Sequence, residues 1–107
     1  MTEFNWTGEE LQEVVDGNRL VLFMKGTPEQ PQCGFSARAA MVYQQLEIPF
    51  VTINILADAR AIPAVCEWSD WPTMPQCFID GELIGGSDIV LEMLESGELQ
   101  EMLSEGK

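Results

Sequence analysis

One cysteine stands where its side chain could carry out chemistry. Cys33 follows a loop, Lys25–Gln32, that contains two prolines, and it directly precedes a predicted helix. The start of a helix leaves backbone N–H groups unpaired and carries partial positive charge, so a thiol placed there ionises more readily, and Lys25 would add a second positive influence. The thiolate is the form that attacks disulfides and ligates metals. Cys33 is therefore the first candidate for a reactive residue, against the alternative of a small buried hydrophobe.

Serine, not a second cysteine, stands three residues after Cys33. A Cys-x-x-Cys pair would place a thiol at Ser36, so this site cannot close a local disulfide. The other cysteines, Cys66 and Cys77, complete an odd set of three in a chain without histidine. Their spacing does not match paired zinc ligands, and without a secretory signal a disulfide framework is not expected. We interpret Cys66 and Cys77 as packing residues.

A segment with two prolines, Trp71–Pro75, precedes a predicted strand. If Pro75 followed a cis peptide bond, the residue before it would keep its N–H and C=O free to pair with an extended ligand, as an added strand does. The alternative is a plain loop with two prolines. A dipeptide does not reveal a cis bond, so the sequence leaves both interpretations open.

The segment Gly85–Asp88 precedes another predicted helix. Its N–H groups and the Ser87 hydroxyl could hold a carboxylate, and Asp88 could hold an ammonium, which together match the α-amino-acid end of a ligand. An ordinary N-cap made by Ser87 or Asp88 is the simpler interpretation of this segment taken alone. Lys25 also has two interpretations, a solvated lysine at the end of a strand or a neighbour of Cys33.

Local patterns predict nine helices and strands. A capping box, Thr7–Glu10, starts a helix that ends at Gly17–Asn18. The unbroken apolar run Arg19–Met24 predicts a strand buried on both faces. A helix after Cys33 has Phe35, Ala39, Val42 and Leu46 on one apolar stripe and is predicted to end at Ile48-Pro49. A strand follows at Phe50–Asn54, and another helix begins at about Ile62. The last predicted elements are the hairpin strands Cys77–Ile79 and Glu82–Ile84 around Asp80-Gly81, a helix containing Ile89 and Val90, and a short helix around Leu99–Leu103.

This order of elements predicts the fold. Two early strands joined by a helix run parallel through a right-handed crossover, whereas the final hairpin is antiparallel. The sheet is therefore mixed and needs helices on both faces. We predict one α/β domain over residues 1–107 with a thioredoxin-like fold, a four-stranded mixed sheet flanked by helices on both faces.

Composition excludes several classes of function. Five basic residues against eighteen acidic ones give a net charge of −13. Proteins bind nucleic acids and anionic membranes through clustered Lys and Arg, whereas this acidic surface repels both. We therefore expect neither as a partner. No apolar run approaches the roughly 18 residues of a membrane span, and the start of the chain lacks a signal peptide. We therefore expect a soluble, cytoplasmic protein.

Four motifs in this order resemble those of the monothiol glutaredoxins of the Cys-Gly-Phe-Ser type. They are Lys25–Pro28, Cys33–Ser36, Trp71–Pro75 and Gly85–Asp88, and the resemblance extends from about Leu11 to Leu103. It implies a thioredoxin fold, a glutathione site and a labile [2Fe-2S] cluster shared by the two subunits of a homodimer. It also implies a role in iron–sulfur cluster assembly and redox homeostasis, with BolA-like proteins and apo iron–sulfur proteins as partners.

The resemblance implies a role for each candidate site residue. By this resemblance Cys33 would be both the catalytic residue and an iron ligand. For glutathione, Lys25 would contact the glycine carboxylate, Met74 before a cis Pro75 would pair with the cysteinyl backbone, Ser87 with Asp88 would hold the γ-glutamyl end, and Thr73 and Gly86 would complete the set. Two Cys33 and two glutathione sulfurs would supply the four thiolates that a [2Fe-2S] cluster takes.

The chain departs from the family pattern at two places. Ile62 and Cys66 stand where the family usually has basic residues that help to hold a glutathione carboxylate, and Arg60 lies close by. Ser87 stands where many bacterial members have a cysteine. Two other functions remain open from the sequence: a glutathione-dependent thiol-disulfide oxidoreductase, and a redox-sensing module in which Cys33 bonds Cys66, Cys77 or another chain.

Overall fold

The computed structural model describes residues 4–106, and its helices and strands follow the predicted order. Their bounds are α1 Gly8–Gly17, β1 Leu20–Met24, α2 Gly34–Gln45, β2 Val51–Asn54, α3 Ala61–Ser69, β3 Gln76–Ile79, β4 Glu82–Gly85, α4 Ser87–Ser96 and α5 Glu98–Gly106. Within residues 4–106, no helix is both long enough and apolar enough to span a membrane.

The four strands form one mixed sheet in the order β2-β1-β3-β4. Strand β1 runs parallel to β2, with Val21 opposite Val51, and antiparallel to β3, with Val21 opposite Phe78. Strands β3 and β4 are joined by Asp80 and Gly81, which have φ angles of 53° and 86°. Two consecutive positive φ values are what a type I′ hairpin turn requires. The predicted mixed sheet and its hairpin are therefore confirmed.

Strand β1 lies at the centre of the hydrophobic core, and all five of its residues are fully buried. Successive side chains of a strand point to opposite faces of the sheet. One face, with Leu20, Leu22 and Met24, packs against α2, α4 and α5. The other face, with Val21 and Phe23, packs against α1 and α3. Helices thus cover both faces of the sheet, as a strand with an unbroken apolar run predicts.

Local capping chemistry sets the ends of α1. The Thr7 hydroxyl accepts a hydrogen bond from the Glu10 N–H at 3.1 Å, and the Glu10 carboxylate accepts one from the Thr7 N–H at 3.0 Å. At the other end, the Asn18 side-chain amide donates to the Val14 carbonyl at 2.9 Å. The predicted capping box and the predicted helix end are both confirmed.

Two details predicted for α2 are wrong. Phe35 is 55% exposed instead of lying on the buried stripe. It lies on the side of the first turn that borders an open groove, whereas Ser36 in the same turn is buried. The apolar spacing therefore continues past the surface that could bury Phe35. The helix also ends at Gln45, before Ile48-Pro49, because the chain turns at Glu47, whose φ angle of 60° cannot continue a right-handed helix.

Candidate functional site

Cys33 is the N-cap residue of α2, and its side chain is partly exposed. The N–H of Ser36 is the largest of the influences that lower the pKa of the Cys33 thiol. The Phe35 N–H, the Ser36 hydroxyl and the positive charge of Lys25 lower it further, while partial burial acts in the opposite direction. Unpaired N–H groups at a helix start stabilise a thiolate in this way. The structure therefore produces the more acidic thiol that the sequence predicted.

Two hydrogen bonds fasten the segment before Cys33 to the end of the sheet. The Lys25 N–H donates to the hydroxyl of Ser36 at 3.0 Å, and Ser36 is fully buried. The Gly26 N–H donates to the side-chain oxygen of Asn54 at 3.0 Å, which connects the segment to the end of β2. The segment before Cys33 is therefore connected to α2 through a serine and to the edge strand β2, which runs parallel to β1, through an asparagine.

Gly26 is required where the chain before Cys33 folds back on itself. Its φ angle is 95°, and a Cβ at this position would lie 2.6 Å from the Gln30 carbonyl oxygen and 2.8 Å from the Gln32 nitrogen. The Gln32 N–H donates to the Lys25 carbonyl at 2.8 Å, which closes the loop. Only glycine adopts this backbone conformation without clashing with its neighbours. The loop is thereby kept tight beside the thiol.

A groove of about 390 Å³ opens next to the first turn of α2. It is lined by Phe35, Trp71, Thr73, Met74, Pro75, Gly86, Ser87, Asp88 and Ile89. Six of the predicted site residues, from two segments distant in sequence, therefore lie together. Cys33 and Lys25 are not among the lining residues. Cys33 is two residues from Phe35, which lines the groove, and the Lys25 N–H bonds Ser36 in the same turn of α2.

One wall of the groove is the segment that precedes β3. The peptide bond between Met74 and Pro75 is cis, which is the backbone geometry that the first of the two interpretations requires. In the part of the chain that the structure describes, neither the N–H nor the C=O of Met74 has a hydrogen-bond partner. Buried Gln76 supports this wall, because its side-chain amide donates to the carbonyls of Trp71, at 3.0 Å, and Thr73, at 3.2 Å.

The opposite wall is the start of α4. The prediction that Ser87 or Asp88 caps this helix is wrong, because Gly86 is the N-cap residue and no side chain caps it. Ser87 is buried, whereas the Asp88 side chain is 81% exposed. Gly85 has a φ angle of 148°, and a Cβ there would lie 2.6 Å from the Ile89 side chain. The backbone N–H groups at this helix start therefore border the groove without a side-chain acceptor.

Arg38, which the sequence analysis did not single out, connects the two helices beside the groove. Its guanidinium lies 3.3 Å from the Asp88 carboxylate and 5.9 Å from the centre of the Phe35 ring. The three-residue spacing from Phe35 could have indicated a shared helix face. The contact with Asp88, fifty residues later, has no local signal. Phe35, Trp71 and Ile89 also line the groove, and none of them was predicted as a site residue.

Arg60 does not take the place of the missing basic residues at the groove. It forms an ion pair with Asp58 at 2.7 Å and lies 3.4 Å from the carbonyl of Phe4, near the start of the chain. This ion pair lowers the pKa of Asp58. Ile62 packs on the core between α1 and α3. Neither Arg60 nor Ile62 lines the groove.

The two remaining cysteines differ in their surroundings. Cys77 is fully buried in the core, and burial raises the pKa of its thiol to about 12. It is a packing residue, as predicted. Cys66 is partly exposed, and its sulfur lies 4.0 Å from the side-chain nitrogen of Gln76. Across residues 4–106, no three His, Cys, Asp or Glu side chains are grouped so that they could hold a metal ion.

The mixed sheet, the cysteine at the start of α2 and the cis-proline segment beside it define a thioredoxin-like protein. The glutaredoxin family model matches residues 20–84. An uncharacterized, ycf64-like monothiol glutaredoxin of Synechocystis sp. is 46% identical over 97 residues, which cover 91% of each chain. The chain therefore belongs to the glutaredoxin family, and within it to the monothiol glutaredoxins. Some relatives are longer, and this chain spans only 20% of monothiol glutaredoxin-S11 of Oryza sativa.

Solved structures agree with this assignment. The solution structure of reduced poplar apo GrxS14 is 45% identical to this chain, with a TM-score of 0.78 and a coverage of 91% of this chain and 89% of that one. The crystal structure of a buckwheat glutaredoxin-glutathione complex is 32% identical, again with a TM-score of 0.78, and covers 92% of this chain and 87% of that one. The predicted thioredoxin-like fold is confirmed.

Proposed function

We propose that this protein binds glutathione and carries a [2Fe-2S] cluster that two copies of the chain hold between them. The observation that carries the proposal is the position of Cys33. Its thiol lies at the start of α2, next to the groove formed by the segment before β3 and the start of α4. A reactive sulfur beside a groove with free backbone groups suits a small peptide that itself carries a thiol.

The groove offers complementary groups for each part of glutathione. The free N–H and C=O of Met74 would pair with the backbone of the cysteinyl residue, as an added strand does. The uncapped start of α4, with Ser87 and Asp88, would hold the γ-glutamyl end. Lys25, on the side of Cys33, would contact the glycine carboxylate. The complex of buckwheat glutaredoxin with glutathione supports this proposal.

Ligand counting explains why the cluster needs two copies of the chain. A [2Fe-2S] cluster takes four thiolates. Each chain offers Cys33 at the start of α2, beside the groove, whereas Cys77 is fully buried and Cys66 lies on α3 with its sulfur near Gln76. Two Cys33 and two glutathione sulfurs would complete the set. The cluster would then be cargo, passed to apo iron–sulfur proteins, with BolA-like proteins as further partners.

Anaerobic reconstitution tests this function. Wild-type protein with iron, sulfide and glutathione should give a coloured dimer, detected by visible absorption and by analytical ultracentrifugation. The variant Cys33→Ser should remain a colourless monomer, whereas Cys66→Ser is the matched control and should behave as wild type. A cluster that forms without glutathione, or on Cys33→Ser, would contradict the proposal.

The lowered pKa of Cys33 also favours a second function, the removal of glutathione from mixed disulfides. The Cys33 thiolate would attack the glutathione sulfur, the original disulfide bond would break, and the released protein thiolate would take up a proton. A second glutathione thiolate would then attack the Cys33–glutathione disulfide, which yields oxidised glutathione and the free Cys33 thiolate. Brisk turnover of a glutathionylated peptide by cluster-free protein would favour this enzyme over the carrier.

A further inference from the structure

We propose that Arg38 is a specificity-determining residue of the glutathione site, where it binds the α-carboxylate of the γ-glutamyl residue while Asp88 binds the α-ammonium group. This inference rests on the proposed function. It adds to that function a cationic residue on α2 that would recognise one defined group of the ligand.

The positions of the two charged groups suit a zwitterion. Arg38 lies on α2 and Asp88 in the first turn of α4. Arg38 does not itself line the groove, but it contacts Asp88 and Phe35, which do. Their charged atoms are 3.3 Å apart, and their side chains are 43% and 81% exposed. An α-amino acid carries its carboxylate and its ammonium on one carbon atom. A ligand head group at the start of α4 would therefore meet a cation and an anion side by side.

Within residues 4–106, the Arg38 side chain has N–H donors that are not used in hydrogen bonds. A guanidinium has five N–H donors in a planar fork that matches a carboxylate. In the described part of the chain, Asp88 is the one hydrogen-bond partner of the Arg38 side chain. The centre of the Phe35 ring lies 5.9 Å from the guanidinium carbon, and this cation–π contact helps to orient the Arg38 side chain. Exposed ion pairs contribute little to stability, so the guanidinium can turn from Asp88 towards a ligand at little cost.

The charge of the protein favours a cation beside the start of α4. Glutathione carries two carboxylates and one ammonium at neutral pH, and the chain carries a net charge of −13. Asp88 is the one charged residue that lines the groove. Ile62 supplies no charge, and Arg60 is paired with Asp58 away from the groove. Arg38 is therefore the cation placed to offset repulsion of the γ-glutamyl carboxylate.

Isothermal titration calorimetry on reduced, cluster-free protein tests the assignment. The ligands are glutathione and the analogue in which 4-aminobutyrate replaces the γ-glutamyl residue, so that only the α-carboxylate is missing. We expect Arg38→Gln to weaken glutathione binding by roughly 5- to 20-fold and to leave the affinity for the analogue nearly unchanged. Arg38→Lys should retain part of the preference for glutathione over the analogue.

The variant Arg60→Gln is the control, because it makes the same change in net charge. It should leave both affinities close to wild type. Equal losses for the two ligands in Arg38→Gln, or no loss beyond that of the control, would overturn the inference. Tighter glutathione binding would also overturn it, because Arg38 would then be a competitor of the ligand ammonium for Asp88. If wild-type protein bound neither ligand, the proposed glutathione site itself would be wrong.

Discussion

The hydroxyl oxygen of Ser36 accepts a hydrogen bond from the backbone N–H of Lys25 at 3.0 Å. Ser36 stands where a dithiol protein of this kind would carry its second cysteine, and it is fully buried. The bond joins the first turn of α2 to the residue that follows β1. The serine is therefore a structural connection that holds the start of α2, with Cys33, against the end of β1.

Replacement of this serine should cost stability. In Ser36→Ala the Lys25 N–H loses its acceptor in a partly buried place, and we expect the free energy of unfolding to fall by about 1–3 kcal/mol. Urea denaturation followed by circular dichroism measures this change. Ser104→Ala, at an exposed serine of α5, is the control and should change stability by less than about 0.5 kcal/mol. Equal effects of the two substitutions would contradict the structural role of Ser36.

The acidity of Cys33 should be visible in its alkylation kinetics. Because its pKa lies below the ordinary value, the thiolate forms at lower pH in the folded protein than in urea. The rate of reaction with iodoacetamide should therefore rise with pH at an earlier point in folded protein. Lys25→Gln should move this rise to higher pH by a small amount, since Lys25 is the weakest of the influences that lower the pKa. An unchanged profile in urea would contradict the prediction.

The same thiol should make stability depend on pH. A group whose pKa is lowered by folding binds fewer protons in the folded state, so its contribution grows as pH rises through the folded pKa. The contribution is complete above the pKa of the unfolded thiol and is lost as pH falls. Wild type should therefore gain stability relative to Cys33→Ser with rising pH, measured by urea denaturation between about pH 6 and pH 9. A constant difference would contradict this linkage.

Cys33 should react with an alkylating reagent well before Cys77 does. Cys33 has a lowered pKa and is partly exposed, whereas Cys77 is fully buried with a pKa of about 12. Limiting iodoacetamide at pH 7, followed by peptide mass mapping, should label Cys33 first and leave Cys77 unlabelled until the protein is unfolded. Early labelling of Cys77 in folded protein would mean that the core around β3 opens readily.

Gln76 should contribute more to stability and to glutathione binding than an exposed glutamine does. Its buried side chain donates to the carbonyls of Trp71 and Thr73, which form one wall of the groove. Gln76→Leu should lower the free energy of unfolding by about 1–3 kcal/mol and should also weaken glutathione binding, because this wall loses its support. Gln100→Leu, at an exposed position of α5, is the control for both measurements. Unchanged glutathione affinity in Gln76→Leu would show that the wall does not need this support.

Most of the fold could be predicted because its determinants are local. The capping box at Thr7, the hairpin turn at Asp80-Gly81 and the fully buried strand β1 each depend on neighbouring residues or on side-chain period. The position of Phe35 could not be predicted in this way. Helical spacing places it with Ala39, but the spacing does not show that the first turn of α2 borders a groove.

The sequence by itself determined the order of helices and strands, the resemblance to monothiol glutaredoxins and the choice of Cys33 as the candidate reactive residue. Tertiary structure alone decided that Phe35 borders a groove, that the Met74–Pro75 bond is cis, and that Arg38 meets Asp88 across fifty residues of chain. The reason is physical, because caps, turns and periodicity depend on neighbours along the chain, whereas a groove and its charges depend on which segments the folded sheet brings together.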